Sequence, residues 1–564
     1  EKAKPLQERL LQRQAHLSET SWLQKWWNTM CYLQYRQPVV VYVSYLFQLA
    51  DDASALSGIQ RGAAALRAAA EYRNQVCFHT LPQDTVGKNK TPLCSVAYKY
   101  MFHACRIAQE TQDAYRIHDP SRYTHAVVAC RNQFFAVPVF NENGDILPLT
   151  IMETNLKKCQ EQAKRTRPDS LELGWLTTWN RDDWALARDK LLRLGGPSMQ
   201  RALELLESGM LLLSLDEEEP VSYRQRALEY WHGGVNSGGN RYFDKSIHLV
   251  VSKNGKLGYI GEHSLMDGMP AVGLCNFIQK ETYQKQLNME DSDYSMSSVA
   301  SSQEVENIFD DAFANLAKEG RLEIASLITH AKKDFKQLVN DHDLHVESFQ
   351  GYGSSSIKKA GYSPDAFVQM AIQLATFRLF GKQVATYEST QVRSFLHGRT
   401  EVTRSVSKAS EAFVKAMGME SSEDDELDRD VRKEKLELFR KATESHVVYI
   451  RKAIVGQGCD RHFMGLSMVV DEGEEAPALF SHPLFSRSKR WRVSTSTLPN
   501  MPGFGPVEED GVGIAYEIKP NCVMFTITGR RERDFTEALC HQIEEALVEI
   551  QSLVEMEKPQ RSKL

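Results

Sequence analysis

The sequence predicts an α/β protein of two domains, with strands and helices mixed in both halves. Its 564 residues are more than a single hydrophobic core usually organises. Strand-like segments and helical segments are mixed along the chain. The segment 289–307 is rich in serine and acidic residues and nearly free of large apolar ones, which is typical of an exposed linker. We therefore expect a domain boundary near residue 304.

Strands are predicted in the first half of the chain. HAVVAC (125–130) and QFFAVPVF (133–140) are rich in β-branched and aromatic residues. Residues 246–262 predict a β-hairpin, because Asn254-Gly255 suits a tight two-residue turn between two apolar runs. The chain after residue 262 would then leave the end of a strand.

Long helices are predicted at 51–74, 363–381, about 430–454 and 534–556. The second of them has clear end signals, because Ser363 suits the cap, Pro364 the first position and Gly381 the stop. The third follows the acidic run 421–430, which we expect to form a solvated loop.

Composition argues against several classes of protein. The formal net charge of −6 gives no reason to expect nucleic-acid binding. The 10 cysteines contain no CxxC pair and often lie in apolar runs, which indicates reduced core thiols. The strongly apolar stretch 38–50 is too short to span a membrane as a helix. The terminal Ser562-Lys563-Leu564 predicts recognition by the peroxisomal import receptor.

The segment YIGEHSLMDG, 259–268, places His263 just beyond the second hairpin strand. Loops at strand ends often carry functional groups. If a helix follows, Asp267 would share a helical face with His263, and its carboxylate could support an imidazole acting as general base. Alternatively, local backbone groups satisfy His263 and Asp267-Gly268 only makes a turn. The spacing leaves both interpretations open.

Several segments, taken in order, resemble the carnitine/choline acyltransferase family. The central one is YIGEHSLMDG together with NRYFDKSIHLVV, 240–251. The others are WLQKWWNTMCYLQYRQPVVV (22–41), SPDAFVQMAIQLA (363–375), ATYEST (385–390), HGRTE (397–401), DRHFMGL (460–466), STST (494–497) and FGPVEEDGVGIAY (504–516). The form of the central segment and the terminal tripeptide are most similar to the acetyl-transferring carnitine branch found in peroxisomes and mitochondria.

The resemblance implies two related coenzyme-A-dependent-acyltransferase-type domains, each a mixed β-sheet packed with helices, and an active-site tunnel at their interface. It implies an N-terminal domain over 21–304 with the catalytic histidine, and a C-terminal domain over 305–564 with the coenzyme A and carnitine motifs. Residues 1–20 are expected to pack with the C-terminal domain. A monomer is expected, located in the peroxisome or in both the peroxisome and the mitochondrion.

The implied reaction is the reversible transfer of an acetyl or other short acyl group between coenzyme A and the hydroxyl of L-carnitine. Coenzyme A is then a co-substrate, and no permanently bound cofactor or metal is expected. His263 matches the family's catalytic histidine and Asp267 its acidic partner. Ser496 matches the serine that stabilises the oxyanion. Both substrates would bind in one ternary complex, so that no acyl-enzyme is required.

For carnitine, Tyr387, Thr400 and Arg461 match the family's carboxylate-binding residues. Choline has no carboxylate, so Arg461 is the residue that discriminates between the two acceptors. Phe504 matches an aromatic residue near the trimethylammonium, where cation–π attraction is plausible. Without the resemblance, Arg461 would be an ordinary surface arginine and Phe504 a core side chain.

For coenzyme A, the candidate segment is 351–367, in which Lys358 and Lys359 bring positive charge. The family usually has a further lysine at the position of Ser354, so this chain departs from the family at one position of the phosphate-binding segment. Asp365 matches a position along the coenzyme, although it would equally suit the first turn of a helix.

Alternatives stay open at this stage. The family sets acyl length with the residues just before Phe504, and Pro502-Gly503 is not bulky, so medium or long acyl chains are possible. Another alcohol acceptor is possible too. A non-enzymatic acyl-CoA-binding protein is disfavoured because His263, Asp267 and Ser496 are all present. The cluster NDHDLHVE, 340–347, suggests a metal, but the family needs none.

Overall fold

The computed structural model describes residues 3–16, 21–165, 170–293, 304–419, 429–471 and 473–555. The terminal Ser562-Lys563-Leu564 lies outside the described residues, as do the middle of the expected linker at 289–307 and most of the expected loop at 421–430. Peroxisomal import therefore stays a prediction from the sequence. Among the helices in the described ranges, none combines the length and apolar character needed to cross a membrane.

The helices of the described chain are α1 Ala3–His16, α2 Gln24–Asn28, α3 Val39–Tyr42, α4 Gly58–Cys77, α5 Leu149–Lys164, α6 Arg181–Ser208, α7 Tyr223–Trp231, α8 Gly268–Lys280, α9 Tyr283–Asp293, α10 Asp310–Ala314, α11 Lys318–Asp341, α12 Ser354–Lys359, α13 Pro364–Phe380, α14 Lys408–Met417, α15 Arg429–Ile454, α16 Asp460–Met468, α17 Ala478–Ser481, α18 Pro483–Ser488 and α19 Phe535–Glu555.

The strands are β1 Tyr45–Gln48, β2 Thr85–Val86, β3 Thr91–Pro92, β4 Ala104–Ile107, β5 Ala114–Ile117, β6 His125–Cys130, β7 Gln133–Pro138, β8 Leu212–Asp216, β9 Ile247–Ser252, β10 Leu257–Gly261, β11 Glu306–Asn307, β12 His342–Phe349, β13 Thr386–Gln391, β14 Thr400–Arg404, β15 Val493–Thr497, β16 Gly503–Phe504, β17 Val512–Ile518 and β18 Val523–Arg530. Strands and helices are mixed throughout, as predicted.

The chain forms two compact units, which we call the first unit (residues 1–26, 84–94 and 342–564) and the second unit (27–83 and 95–341). The boundary expected at 304 therefore differs from the observed change of unit at His342. The reason is packing, because β11 pairs with β7 and α11 packs against α6, both in the second unit. In the first unit, Leu6 and Leu10 of α1 pack against Leu466 of α16.

In the second unit, the strands of one mixed sheet follow the order β11-β7-β6-β8-β9-β10-β1. The pairs β6–β8 and β8–β9 are parallel, and the remaining pairs are antiparallel. The predicted hairpin is confirmed as β9 and β10. Its connection is longer than the expected two residues, since a backbone hydrogen bond of 2.9 Å joins Ser252 to Lys256 and Gly255 adopts a φ of +75°.

In the first unit, six strands follow the order β12-β18-β17-β15-β13-β14. The inner pairs β13–β15 and β15–β17 are parallel. Helices α13 and α19 pack together and cover this sheet with a continuous apolar core that includes Val368, Ile372, Ile543 and Leu547. The sheet thus holds the ends of β13 and β15 side by side.

The local signals explain where the helices begin and end. Helix α13 is confirmed between its predicted limits, with the Ser363 hydroxyl accepting from the amide of Ala366 and Gly381 in the left-handed region at φ +67°. The helix predicted from residue 51 begins only at Gly58. Ser57 and Gln60 form a reciprocal capping box there, so the preceding residues are left as a loop.

Candidate active site

His263 lies in the loop between strand β10 and helix α8 of the second unit. Its side chain is 31% exposed, and its Nδ1 lies 3.7 Å from Oδ1 of Asp267. His263 and Asp267 do not share a helical face, because helix α8 begins only at Gly268 and Asp267 is its N-cap residue. The loop itself brings the two side chains together, and the helix N-terminus favours an ionised Asp267.

Two tyrosine rings flank the imidazole of His263. The ring centroids of Tyr32 and His263 are 5.2 Å apart, and those of Tyr45 and His263 are 5.0 Å apart in an edge-on arrangement. Burial, together with the nearby charge of Asp267, raises the pKa of Tyr45 far above its ordinary value. Both tyrosines lie in or just after the matched segment 22–41, but nothing in their spacing indicated contact with His263.

Arg461, Tyr387 and Thr400 form a cluster in the first unit. The guanidinium donates through Nη2 to the Tyr387 hydroxyl at 3.2 Å and to Thr400 Oγ1 at 3.4 Å, and through Nε to the Thr400 carbonyl at 2.8 Å. Arg461 is only 9% exposed and lies in the first turn of α16. The structure therefore brings together all three residues that were expected to bind a carboxylate, and a planar guanidinium beside two hydroxyls suits that ligand.

Further residues support this cluster and were not predicted. Glu401 is buried, and its carboxylate accepts from the backbone amides of Val402 and Arg461. Burial raises its pKa, and the charge of Arg461 opposes that rise. Next to it, Arg404 holds Asp460 through two hydrogen bonds of 2.6 and 2.9 Å. The hydrogen bonds of Glu401 and the Arg404–Asp460 ion pair fix the start of α16, which carries Arg461.

Ser496 and Phe504 both lie in the first unit. Ser496 is half-buried near the end of β15, two residues after Ser494, which is the β15 partner of Tyr387 on β13. Phe504 is half-buried on β16, where its carbonyl accepts from the Thr528 hydroxyl at 2.7 Å. The sheet therefore places Ser496 beside the strand that carries Tyr387.

The lysines of the coenzyme A segment lie on the short helix α12. Lys358 and Lys359 are exposed in its last turn, whereas Ser354 is half-buried at its first position. The backbone amides of Ser354 and Ser355 already donate to the carbonyls of Lys519 and Pro520, at 2.8 and 3.0 Å. In this segment the positive charge of the two lysines therefore offers more to a phosphate than the helix amides do.

Asp365, at the start of helix α13, belongs to a polar cluster with Glu388 of strand β13 and His446 of helix α15. Its Oδ1 accepts from the Tyr516 hydroxyl at 2.7 Å, and its carboxyl interacts directly with that of Glu388. Glu388 in turn contacts His446 Nε2 at 2.6 Å. Burial, and then the charge of Glu388, raises the pKa of Asp365 to about 7. Sequence reasoning missed this cluster, although Glu388 lies in the matched segment ATYEST.

The pKa of Asp365 predicts a pH-dependent stability. Folding raises this pKa from 3.8 to about 7, so the stability that the bound proton provides is complete below pH 3.8 and is lost as pH rises through 7. We expect the contribution of Asp365 to the free energy of unfolding to fall by roughly 2–4 kcal/mol over this range. Asp365→Asn mimics the protonated acid and should remove that fall, measured by urea unfolding at pH 5 to 8.

The matched control is Asp430→Asn, which changes an exposed aspartate in the first turn of α15. It should leave the slope of stability against pH as in the wild type. Parallel curves for the wild type and Asp365→Asn would show that Asp365 does not take up the proton on folding.

The cluster at 340–347 has an internal explanation. Asp343 accepts from the Thr536 hydroxyl at 2.9 Å and pairs with Arg531 at 3.5 Å, and His345 lies 3.6 Å from the same carboxylate. Asp341 ends helix α11 and is therefore not part of the strand β12 that carries the other two residues.

The family follows from comparison with known proteins. Residues 1–545 match the model of the Choline/Carnitine o-acyltransferase family. The chain therefore belongs to this family and is an acyltransferase.

Its relatives include both carnitine and choline enzymes. Carnitine O-acetyltransferase of Homo sapiens is 31% identical over 97% of this chain and 85% of the relative. The mitochondrial carnitine O-acetyltransferase of Saccharomyces cerevisiae is 30% identical over 96% of this chain and 80% of the relative. Choline O-acetyltransferase of Rattus norvegicus is 29% identical over 99% of this chain and 86% of the relative.

Proposed function

We propose that the chain transfers a short acyl group, foremost acetyl, reversibly between coenzyme A and the hydroxyl of L-carnitine. The observation that carries this proposal is the buried Arg461 with Tyr387 and Thr400 around its guanidinium. A buried cation among hydroxyls suits an acceptor with a carboxylate, which carnitine has and choline lacks. The carnitine O-acetyltransferases among its relatives support the same acceptor.

His263 is proposed as the general base. Its Nδ1 faces Asp267, so Nε2 is the nitrogen that takes the proton from the carnitine hydroxyl. The alkoxide oxygen attacks the thioester carbonyl of acetyl-CoA, and a tetrahedral intermediate with one oxyanion forms. The C–S bond then breaks, and the imidazolium returns the proton to the coenzyme A thiolate. The carboxylate of Asp267 stabilises the imidazolium while it carries the proton.

The other site residues bind and stabilise. The Ser496 hydroxyl is proposed to donate to the oxyanion of the tetrahedral intermediate. Phe504 is proposed to attract the trimethylammonium by cation–π interaction. Lys358 and Lys359 would pair with coenzyme A phosphates. Ser354 brings no charge to them. Both substrates are bound before chemistry, so their positioning supplies much of the rate.

The deciding experiment measures release of the free coenzyme A thiol from acetyl-CoA, with L-carnitine or choline as acceptor. We expect release with L-carnitine and, at equal concentration, at most a few per cent of that rate with choline. Equal rates, or release with choline alone, would refute the acceptor. A folded protein that releases no thiol with L-carnitine across acetyl to palmitoyl donors would refute the reaction.

Acyl length gives a separate prediction. Pro502 and Gly503, just before Phe504, are buried and small, so we expect the wild type to use butanoyl-CoA within about tenfold of acetyl-CoA. Pro502→Met fills that space and should lower the butanoyl-to-acetyl ratio of kcat/KM by about 10- to 100-fold.

Val507→Met is the control, since Val507 is 55% exposed in the same segment. It should leave the butanoyl-to-acetyl ratio unchanged. An unchanged ratio in Pro502→Met as well would mean that Pro502 does not border the acyl chain.

A further inference from the structure

Arg106 touches both neighbours of His263 in the sequence. It lies on β4 and is fully buried in the second unit. Its Nη1 donates to Oε1 of Glu262 at 3.2 Å and to Oγ of Ser264 at 3.0 Å. Ser264 also donates to Glu262 through its hydroxyl and, at 3.2 Å, through its backbone amide. One guanidinium therefore joins the residues on either side of the imidazole.

The same guanidinium also bonds the segment that carries Tyr32. Its Nη2 donates to the backbone carbonyl of Tyr32 at 2.8 Å. The ring of Tyr32 packs against the imidazole of His263. Arg106 thus anchors the loop from both sides and also anchors the segment that supplies one aromatic neighbour.

Arg106 is itself held in a single orientation. Its Nε donates to Oδ2 of Asp113 at 2.6 Å, and Arg181 donates to the same oxygen at 2.6 Å. Arg36 bonds the other oxygen of Asp113 at 3.1 Å. A guanidinium fixed on all its edges has little freedom to rotate, so the groups that it holds are fixed too.

The buried charges of Arg106 and Glu262 stabilise each other. Glu262 is fully buried, and burial raises the pKa of its carboxyl, whereas the charge of Arg106 opposes that rise. Without the arginine charge, the pKa of the Glu262 carboxyl would rise further. The loop would then lose its link to β4 on both sides of His263.

We propose that Arg106 is a positioning residue that holds His263 in its catalytic orientation through Glu262, Ser264 and Tyr32. The inference rests on the proposed role of His263 as general base. Arg106 does not meet substrate, so its loss should change kcat and leave both KM values nearly as they are. A misplacement of about 1 Å can cost a base about 100-fold in rate.

The experiment compares two pairs of variants by steady-state kinetics with acetyl-CoA and L-carnitine, and by thermal unfolding. Arg106→Lys keeps the charge but loses the fork that reaches both flanking residues. Its control is Arg241→Lys, because Arg241 is also fully buried and holds Asp216 through two hydrogen bonds. Asp216 pairs with Ser252, at the end of the sheet opposite to the strand end that precedes His263.

The second pair is milder and covers the case in which Arg106→Lys does not fold. Ser264→Ala removes only the hydroxyl between Arg106 and Glu262. Its control is Ser214→Ala, a fully buried serine of β8 that bonds the carbonyl of Asn240 and His248. Both serine variants lose buried hydrogen bonds and should lose similar thermal stability.

We expect kcat to fall about 100-fold in Arg106→Lys and about tenfold in Ser264→Ala, with each KM within about twofold of the wild type. The two controls should keep kcat within about twofold. Losses of kcat no larger than those of the controls would overturn the inference. If His263→Ala keeps its activity, the proposed base fails instead, which is a separate result.

Discussion

Replacing His263 by alanine is expected to lower kcat by about 10²- to 10⁴-fold, with little change in KM for carnitine or acetyl-CoA. The imidazole is proposed to carry one proton from the hydroxyl to the thiolate, and no other group is proposed to do so. Its partial exposure means that its removal leaves no large cavity in a packed core. The loss should therefore appear in the chemical step and not in the stability of the fold. Thiol release at saturating concentrations of both substrates measures it.

His541→Ala is the matched control, since His541 is an exposed histidine on α19 with a side chain 70% accessible. It should keep the wild-type kcat. A His263→Ala variant with kcat within about threefold of the wild type would refute the general-base assignment. A rise in KM alone would indicate that His263 binds substrate without transferring a proton.

Replacing Arg461 by glutamine is expected to raise the KM for carnitine by about 100-fold or more, with a much smaller change in KM for acetyl-CoA. Removing one partner of a buried, hydrogen-bonded charge pair typically costs about 2–5 kcal/mol of binding, and each 1.4 kcal/mol is a factor of ten in affinity. Choline has no carboxylate, so its binding should not depend on the charge of Arg461. The ratio of choline to carnitine activity should therefore rise. Initial rates with varied L-carnitine and choline measure both effects.

Arg378→Gln is the control that separates an effect on carnitine binding from an effect on folding. Arg378 is 7% exposed, close to the 9% of Arg461, and holds Glu549 through two hydrogen bonds of 2.6 and 2.9 Å in the same unit. Its loss should lower the thermal stability of the protein without changing KM for carnitine. If Arg461→Gln also leaves this KM unchanged, Arg461 is structural and the acceptor must be sought among other alcohols.

Local sequence signals predicted the parts of the fold that depend on interactions between residues close together in the sequence. Helix α13 has its cap, its first proline and its terminal glycine within one segment, so its limits could be predicted closely. The start of α4 was misplaced because the sequence before Ser57 is also compatible with a helix, and only the capping box ends that ambiguity. The boundary near 304 was inferred from composition, whereas strand pairing by β11 keeps the chain in the second unit beyond it.

The candidate site was predictable only in part, and the reason is sequence separation. Tyr387 and Arg461 are 74 residues apart, and Arg106 and Glu262 are 156 apart. No periodicity links residues at such distances, so their contact depends on the sheet and helix packing of each unit. The resemblance to a family supplied the binding residues. It did not identify Arg106, Glu401 or His446, because their contacts exist only in the folded chain.

The first unit is built from segments that are far apart in the chain, and this sets an order for its assembly. Arg9 of α1 bonds Glu474, 465 residues further along, whereas the second unit is complete at Asp341. Because a ribosome releases the chain from its N-terminus and domains tend to fold as units, α1 must wait for its packing partners until most of the chain has emerged. A nascent chain halted near residue 400 would thus already hold His263 in a finished loop, while the arginine cluster would not yet exist.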